Sequence, residues 1–556
     1  MPKITIDDRE LEFKDGQTIL QAALDAGIDI PYFCWHPKLS VAGNCRICLV
    51  EVEKMPKLAI ACSTRAGDGM VVRTKSEKAI DARRAVMEFL LINHPLDCPI
   101  CDEAGECKLQ DYAYKHSMGE SRFSETKNKK RKRDPLGPRV LFDAERCISC
   151  SRCIRFVDEI AGKKELTFAK RGDGVTIVTY PGHQMDNPYS MNTIDICPVG
   201  ALTSMDFRFK ARVWDMASTK TVCAGCARGC NVDMWTRSNE IMRLTPRLND
   251  DVNGPWMCDE GRLSTFKHVN ESNRIDGPMI RRDGELRKIG WAEAYANAAS
   301  ELKAFSSDEI GFVASGGATM EDNYLLGKFA AETLNAGSIA LPSRVEAGWG
   351  DDILRRDDRA PNSTGAKVAL SKFDSVVEFD EMMAGVKEGR IKALYVLGED
   401  VVALKPELKD AFAKLTYVVA HAVNENETTA VADLVFPNSS YAEQHGAWMN
   451  FEGRLQRIRP AVSTLEADRA LDGMSRSRLD KFGTRFDRWG EYRRVDARPG
   501  WRILAGVSQS FESPLKFEMA EKVFEEMTRE IDALAGLNYD DLGELGVSAK
   551  TAEQTA

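Results

Sequence analysis

"HPLDCPICDEAGEC", residues 94–107, sets three cysteines, Cys98, Cys101 and Cys107, just behind a histidine, His94. Three thiolates at this spacing can hold three corners of an iron–sulfur cubane and leave the fourth open. His94 is the nearest side chain suited to fill it. A lone histidine is ordinarily a surface or core residue, but beside this triplet ligation is the stronger reading. An imidazole in place of a thiolate leaves a cluster one unit less negative, which should raise its potential.

Three further cysteine groups flank this one. Upstream, Cys34, Cys45, Cys48 and Cys62 form a C-x10-C-x2-C-x13-C pattern. Plant-type [2Fe–2S] ferredoxins use three clustered cysteines and one distant one, and the glycine of "AGNCRIC" suits such a loop. The first gap is longer than in those ferredoxins, and structural zinc stands as the alternative. Downstream, "CISCSRC" supplies Cys147, Cys150 and Cys153, with Cys197 in "DICPVG". This is a bacterial-ferredoxin arrangement, but Val157 stands where a second cluster would need a cysteine, so one [4Fe–4S] cluster is expected. Last, Cys223, Cys226, Cys230 and Cys258 read C-x2-C-x3-C-x27-C. Zinc ribbons pair two C-x2-C knuckles and this group has one, which favours [4Fe–4S] over zinc.

The four groups use all fifteen cysteines of the 556-residue chain and leave none as a nucleophile. One [2Fe–2S] and three [4Fe–4S] clusters are therefore expected, an electron wire. Fifteen cysteines suit metal ligation in a reducing compartment, where disulfides are disfavoured. The N-terminal "MPKITIDDREL" lacks the basic head and apolar stretch of a secretory signal, and no run approaches the ~18 apolar residues of a membrane span. A net charge of −9 argues against a nucleic-acid binder, and the basic run "KNKKRKRD" from Lys127 reads as a solvated loop.

Hydrophobic patterning fills in the rest. "KITI" and "LEF" alternate as a hairpin, "TILQAALDAGI" is a short helix ending near Gly27, and "RICLVEVE", "KLAIACS" and "GMVVRT" are further strands. A longer helix starts near Ser76 and stops at "NHP", because a residue preceding proline leaves the α region. Beyond about residue 273, "EIGFVAS", "IKALYVLG", "LTYVVAHA" and "ADLVFP" alternate with helical stretches, the pattern of a parallel α/β sheet.

Through all four cysteine groups the chain strongly resembles the large iron–sulfur subunit of proton-pumping NADH–quinone oxidoreductase, respiratory complex I. The His94–Cys98–Cys101–Cys107 pattern is specific to that family and a few relatives, [FeFe]-hydrogenases and NAD-dependent formate dehydrogenases. "GPWMCDEGR", "ALYVLGED" and "NETTAVADLVFPNSSYAEQHGAWMNFEGRLQ" look like molybdopterin oxidoreductase segments. The resemblance implies an α+β and α/β multidomain chain. A β-grasp [2Fe–2S] ferredoxin-like domain (1–78) leads into a helical segment (79–119) whose histidine and three cysteines hold a [4Fe–4S] cluster. A [4Fe–4S] ferredoxin-like domain (138–212) comes next. A four-cysteine [4Fe–4S] domain of molybdopterin-oxidoreductase type (216–272) and a shortened molybdopterin-oxidoreductase-like α/β domain (273–556) follow.

It further implies that electrons from NADH pass through FMN on a partner subunit of the peripheral arm, then along the first three sites towards quinone. The Cys223 site would lie off that path in a structural role. The complex would sit peripherally on the cytoplasmic side of the inner membrane. The chain itself would lack a substrate site: "GDGVT" and "ASGGAT" are not dinucleotide fingerprints. An NAD-linked molybdenum formate dehydrogenase α subunit is the alternative. That enzyme and a hydrogenase both need further cysteines, or selenocysteine, and none follows Cys258. The 298 residues beyond it are short for a domain enclosing two pterins, and "RVEAGWGDDILRRDDRAPNSTGAKVAL" reads as a shortcut, so no molybdopterin is expected.

Overall fold

A computed structural model describes residues 1–466 and 493–549. The stretches 467–492 and 550–556 of the expected α/β domain lie outside the described residues. The chain divides into two compact units, Met1–Met216 and Ala217–Ala556.

The first unit opens with a hairpin, β1 (Lys3–Ile6) and β2 (Arg9–Glu12), that pairs Lys3 with Glu12. Strands β3 (Leu49–Val52), β4 (Ala59–Ile60) and β5 (Met70–Arg73) complete a sheet of order β2-β1-β5-β3-β4, in which β1 and β5 run parallel. Ile4 and Ile6 alternate inward with period two and meet helix α1 (Ile19–Asp25), whose Ile19 and Leu20 are fully buried. Thr18 and Gln21 close a capping box at its start, and Gly27, at φ +72°, ends it in the left-handed region. This is a β-grasp sheet and helix.

Helix α2 (Glu77–Ile92) is capped by Ser76 and stops before Asn93-His94-Pro95, as the proline requires. Helix α3 (Lys108–His116) begins directly after Cys107. Strands β6 (Asp134–Pro135) and β7 (Val140–Phe142), helix α4 (Arg152–Glu159), the hairpin of β8 (Leu166–Ala169) and β9 (Thr176–Thr179), and β10 (Leu202–Ser204) form the next segment. The basic run from Lys127 is more than a solvated loop. Lys127 Nζ donates to the free carbonyls of Leu91 and Ile92 at the end of α2, both at 2.8 Å. Lys132 pairs with Asp97 and Glu145. A helix C-terminus offers unpaired carbonyls and a partial negative charge, which is why Lys127 folds back onto α2.

The second unit begins with an antiparallel sheet of β11 (Ala217–Val222), β12 (Asn231–Arg237) and β13 (Glu240–Pro246). A seven-stranded sheet follows, built from β14 (Met279–Arg282), β15 (Glu285–Lys288), β16 (Ile310–Val313), β17 (Ser338–Ala340), β18 (Ala393–Leu397), β19 (Tyr417–Ala422) and β20 (Leu434–Pro437). Its order is β15-β14-β20-β19-β18-β16-β17. The four runs expected as strands are its parallel centre, buried on both faces. The short edge strand β17 and the antiparallel β14–β15 hairpin were too brief or too polar to read from pattern. A small sheet of β21 (Gly446–Met449), β22 (Arg454–Ile458) and β23 (Val547–Ser548) closes the unit, and the acidic helix Ala520–Glu530 packs Phe524 and Met527 into its core. Among the described residues no helix is long and apolar enough to cross a membrane.

Candidate iron–sulfur sites

The structure brings Cys34, Cys45, Cys48 and Cys62 together on the β-grasp module. Cys48 precedes β3 and Cys62 follows β4, neighbouring antiparallel strands, while Cys34 and Cys45 lie on the preceding loop. Gly43 and Arg46 turn that loop at φ +60° and +62°. The Cys34 amide donates to Cys45 Sγ at 3.5 Å. Cys34 reaches both Cys45 and Cys62, and Cys62 reaches Cys48, so Cys45 and Cys62 resist losing their protons beside thiolate neighbours. Four crowded thiols can all ionise only around a cation.

At the second site a single 3₁₀ turn, Cys98–Ile100, separates Cys98 from Cys101, and Cys107 N-terminally flanks α3. Burial, then the Arg146 charge, pushes His94 down to about 4, so its imidazole is neutral and able to ligate at pH 7. Asp97 lies between His94 and Cys98 in the chain. Burial pushes its carboxyl up, but Lys132 at 2.6 Å and Arg146 at 3.0 Å outweigh that and hold it below the usual carboxylate range.

Cys147, Cys150 and Cys153 line a common pocket with Cys197, Phe142, Ile177 and Leu202. Ser149 and Ser151 adopt φ +53° and +63° on either side of Cys150. Left-handed backbone costs a residue bearing a Cβ about 1–3 kcal/mol, and here it turns amides towards sulfur. Ser149 N lies 3.4 Å from Cys147 Sγ, and the Arg152 amide donates to Cys150. Such donors stabilise a sulfur-borne negative charge.

The fourth site is the β11–β12 connection. The Cys223 amide donates to the Cys230 carbonyl at 2.8 Å. Cys258 caps the helix Asp259–Leu263, where Gly261 N donates to its sulfur at 3.3 Å. A Cβ on Gly261 would meet Cys223 Sγ at 3.0 Å and Cys258 Sγ at 3.2 Å. Cys223, Cys226, Cys230 and Cys258 line a common pocket with Met257, Leu354 and Arg355. Leu354 and Arg355 belong to the shortcut stretch, which is ordered over the site: Trp349 Nε1 and Arg359 both bond Glu260, two residues past Cys258. Sequence reading did not connect this stretch with the cysteines.

Donor chemistry fits iron–sulfur clusters at all four sites. As free thiols the buried cysteines hold their protons: burial pushes Cys107 and Cys147 up to about 11, Cys258 up to about 12, and Cys153, Cys197 and Cys230 well above the usual thiol range. Ligation requires thiolate, so cationic iron supplies the missing stabilisation. Among the described residues no group of three or more Cys, His, Asp or Glu side chains is arranged for a single ion. The ferredoxin-like and Cys223 thiols line the walls of a space instead of converging on a point.

The first three sites touch through named residues. Arg152 donates from one guanidinium to the carbonyls of Ile196, beside Cys197, and Trp35, beside Cys34. Arg155 donates to the Cys34 carbonyl itself. On the other side Cys107 Sγ and the Lys108 amide both face the Pro198 carbonyl, at 3.9 and 3.1 Å. The Cys34 loop also meets α3 directly, Tyr32 with Lys108 and Phe33 with Tyr112, so each of the three sites contacts the other two. Arginines 146, 152 and 155 were legible only as cations interleaved with cysteines in "ERCISCSRCIR".

Five family models match in chain order. They are a 2Fe-2S iron-sulfur cluster binding domain (2–77), the NADH-ubiquinone oxidoreductase-G iron-sulfur binding region (83–122) and the ferredoxin-like domain of NADH-quinone oxidoreductase subunit 3 (137–203). The NADH-ubiquinone oxidoreductase NDSU1/NuoG-like 4Fe-4S domain (217–265) and molybdopterin oxidoreductase (274–341 and 358–470) follow. The chain is 42% identical over 332 residues to the NADH-quinone oxidoreductase G subunit of Rickettsia bellii, covering 59% of this chain and 48% of that one. It is 31% identical over 581 residues to the mitochondrial NADH-ubiquinone oxidoreductase 78 kDa subunit of Candida albicans, covering 83% of this chain and 80% of that one. It is 44% identical over 309 residues to the mitochondrial NADH dehydrogenase [ubiquinone] iron-sulfur protein 1 of Solanum tuberosum, covering 55% and 42%. The match thus spans about half the length of several of these relatives.

Proposed function

Because the chain belongs to the family of the NADH-quinone oxidoreductase G subunit and the mitochondrial 78 kDa subunit, we propose that it is the iron–sulfur electron carrier of such an oxidoreductase. One [2Fe–2S] cluster would be held by Cys34, Cys45, Cys48 and Cys62. Three [4Fe–4S] clusters would be held by His94 with Cys98, Cys101 and Cys107, by Cys147, Cys150, Cys153 and Cys197, and by Cys223, Cys226, Cys230 and Cys258. The chemistry a bound cluster supplies is reversible one-electron uptake.

The observation that carries this reading is the residue-to-residue contact of the first three sites inside one compact unit. Transfer between centres needs short spacing and little reorganisation, not acid–base groups. The chain's residues provide that by holding the Cys34 loop on α4 and the Cys107 loop on Pro198. Burial keeps water from the ferredoxin-like site, and the amides of Ser149 and Arg152 orient and stabilise its sulfurs. The path then runs from the Cys34 site through the Cys147 site to the His94 site. FMN and NADH lie on a partner subunit of the peripheral arm, quinone accepts the electrons beyond this chain, and the arm sits on the cytoplasmic side of the inner membrane. The Cys223 site and the α/β domain serve as a scaffold without molybdopterin.

The match to molybdopterin oxidoreductase favours a second reading, a molybdenum formate dehydrogenase α subunit. Iron and acid-labile sulfide counting with low-temperature EPR separates the two. One binuclear and three tetranuclear centres with no molybdenum are expected. Stoichiometric molybdenum or pterin would overturn the scaffold assignment.

A further inference from the structure

Arg152 opens α4 directly behind the Cys150 loop and is 4% exposed. Its hydrogen-bond partners are the Ile196 and Trp35 carbonyls, and its plane lies 5.9 Å from the Tyr32 ring. Among the described residues no carboxylate pairs with it. Arg146, at 3% exposure on the other side of the same cysteine loop, has both Asp97 at 3.0 Å and Asp143 at 3.4 Å. A buried guanidinium without an anion is strongly unfavourable, and a cation in the first turn of a helix also opposes the helix dipole.

The groups whose negative charge would stabilise Arg152 are Cys150, Cys197 and the Tyr32 phenol. Two further cations share the place. Arg155 donates to the Cys34 and Ser40 carbonyls, and Lys108 sits 4.4 Å over the Tyr32 ring. The fold therefore collects positive charge between two cysteine sites and supplies no carboxylate to Arg152. Thiolate-ligated clusters are anionic, and more so when reduced.

We propose that Arg152 is the shared counter-charge of the Cys34 and Cys147 sites, a positioning residue that raises both potentials together and ties the two loops at fixed spacing. The inference rests on the cluster reading above. One guanidinium spanning the two carbonyls keeps the gap between the potentials small while lifting both, which suits neighbours that must pass an electron either way. Arg146 cannot do this for the His94 site, because its charge is already balanced by Asp97 and Asp143.

The test is an EPR-monitored redox titration of the assembled oxidoreductase, wild type against Arg152→Gln. Both the binuclear and the ferredoxin-type tetranuclear midpoints should fall by tenfold or more in the reduction equilibrium, about 59 mV for a one-electron couple. The His94-site midpoint should stay in place. Unmoved midpoints, or a uniform shift of all three, would overturn the proposal. If Arg152→Gln assembles without its iron, Arg152→Lys is read instead. It keeps the charge but cannot span both carbonyls, so both midpoints should fall by less than tenfold. A fall of tenfold or more with the charge kept, or failure of both variants to assemble, would overturn the counter-charge role. Absence of the two signals from the wild type would instead refute the cluster reading.

Discussion

The amide of Lys108, one residue past Cys107, donates to the carbonyl of Pro198, one residue past Cys197, at 3.1 Å. This bond joins the second cysteine loop to the third. Gly200 completes the contact: a Cβ there would stand 2.3 Å from Cys101 Sγ and 2.9 Å from the Glu103 Cβ.

Gly200→Ala should therefore force the two loops apart. Overpacking of this kind costs about 1–3 kcal/mol. The variant should lose or perturb the tetranuclear EPR signal of the His94 site and slow quinone reduction, while the binuclear signal persists. Unchanged spectra would mean that the Cys101 loop yields without consequence.

His94→Cys should retain a tetranuclear centre at a lower potential, since a fourth thiolate adds one negative charge. His94→Ala should broaden or abolish the same signal. Redox titration distinguishes the outcomes, and identical midpoints in wild type and His94→Cys would remove His94 from the ligand set.

At the fourth site, Cys226→Ser should act on stability before rate. Loss of a bound metal group belongs to the few single changes that can exceed about 4 kcal/mol. A lowered unfolding midpoint with nearly normal NADH–quinone turnover is expected. Slow turnover in a chain of undiminished stability would put the Cys223 site on the electron path.

Glu321 gives a pH dependence confined to the second unit. It is fully buried, accepts from Tyr539 Oη at 2.6 Å and from the Ala447 amide at 3.0 Å, and burial pushes its carboxyl up to about 7. The folded form thus holds a proton that the unfolded form has released. Its stabilising contribution is complete below about pH 4.5 and disappears as pH rises through about 7, a swing of about 3 kcal/mol. Glu321→Gln, neutral at every pH, should flatten the unfolding-midpoint profile between pH 5 and 8. A parallel profile would show that Glu321 does not titrate there.

Much of this was legible because cysteine positions are discrete. The spacing around His94 and the use of every cysteine identified four groups before any fold was known, and period-two and buried apolar runs located the β-grasp hairpin and the central strands. The roles of Leu354 and Arg355 over the fourth site were not legible. They lie about a hundred residues from Cys258 in the chain, in a stretch without periodicity, and only packing brings them there. The basic run is largely exposed, as expected, but the anchoring of Lys127 was not legible for a related reason. Exposure is the default for lysine, and the partners that hold Lys127 are helix-end carbonyls, which exist only once α2 has formed.

By itself the sequence grouped the cysteines, set a histidine beside one group and gave the order of modules along the chain, because ligation chemistry depends on side-chain type and local spacing. The tertiary structure alone decided which cysteine loops touch. Arg152 links Cys34's loop to Cys197's, Pro198 links Cys197's loop to Cys107's, and Lys108 lies over Tyr32, so all three loops meet. Most of these contacts are hydrogen bonds between backbone carbonyls and distant donors, which carry no signature in residue identity.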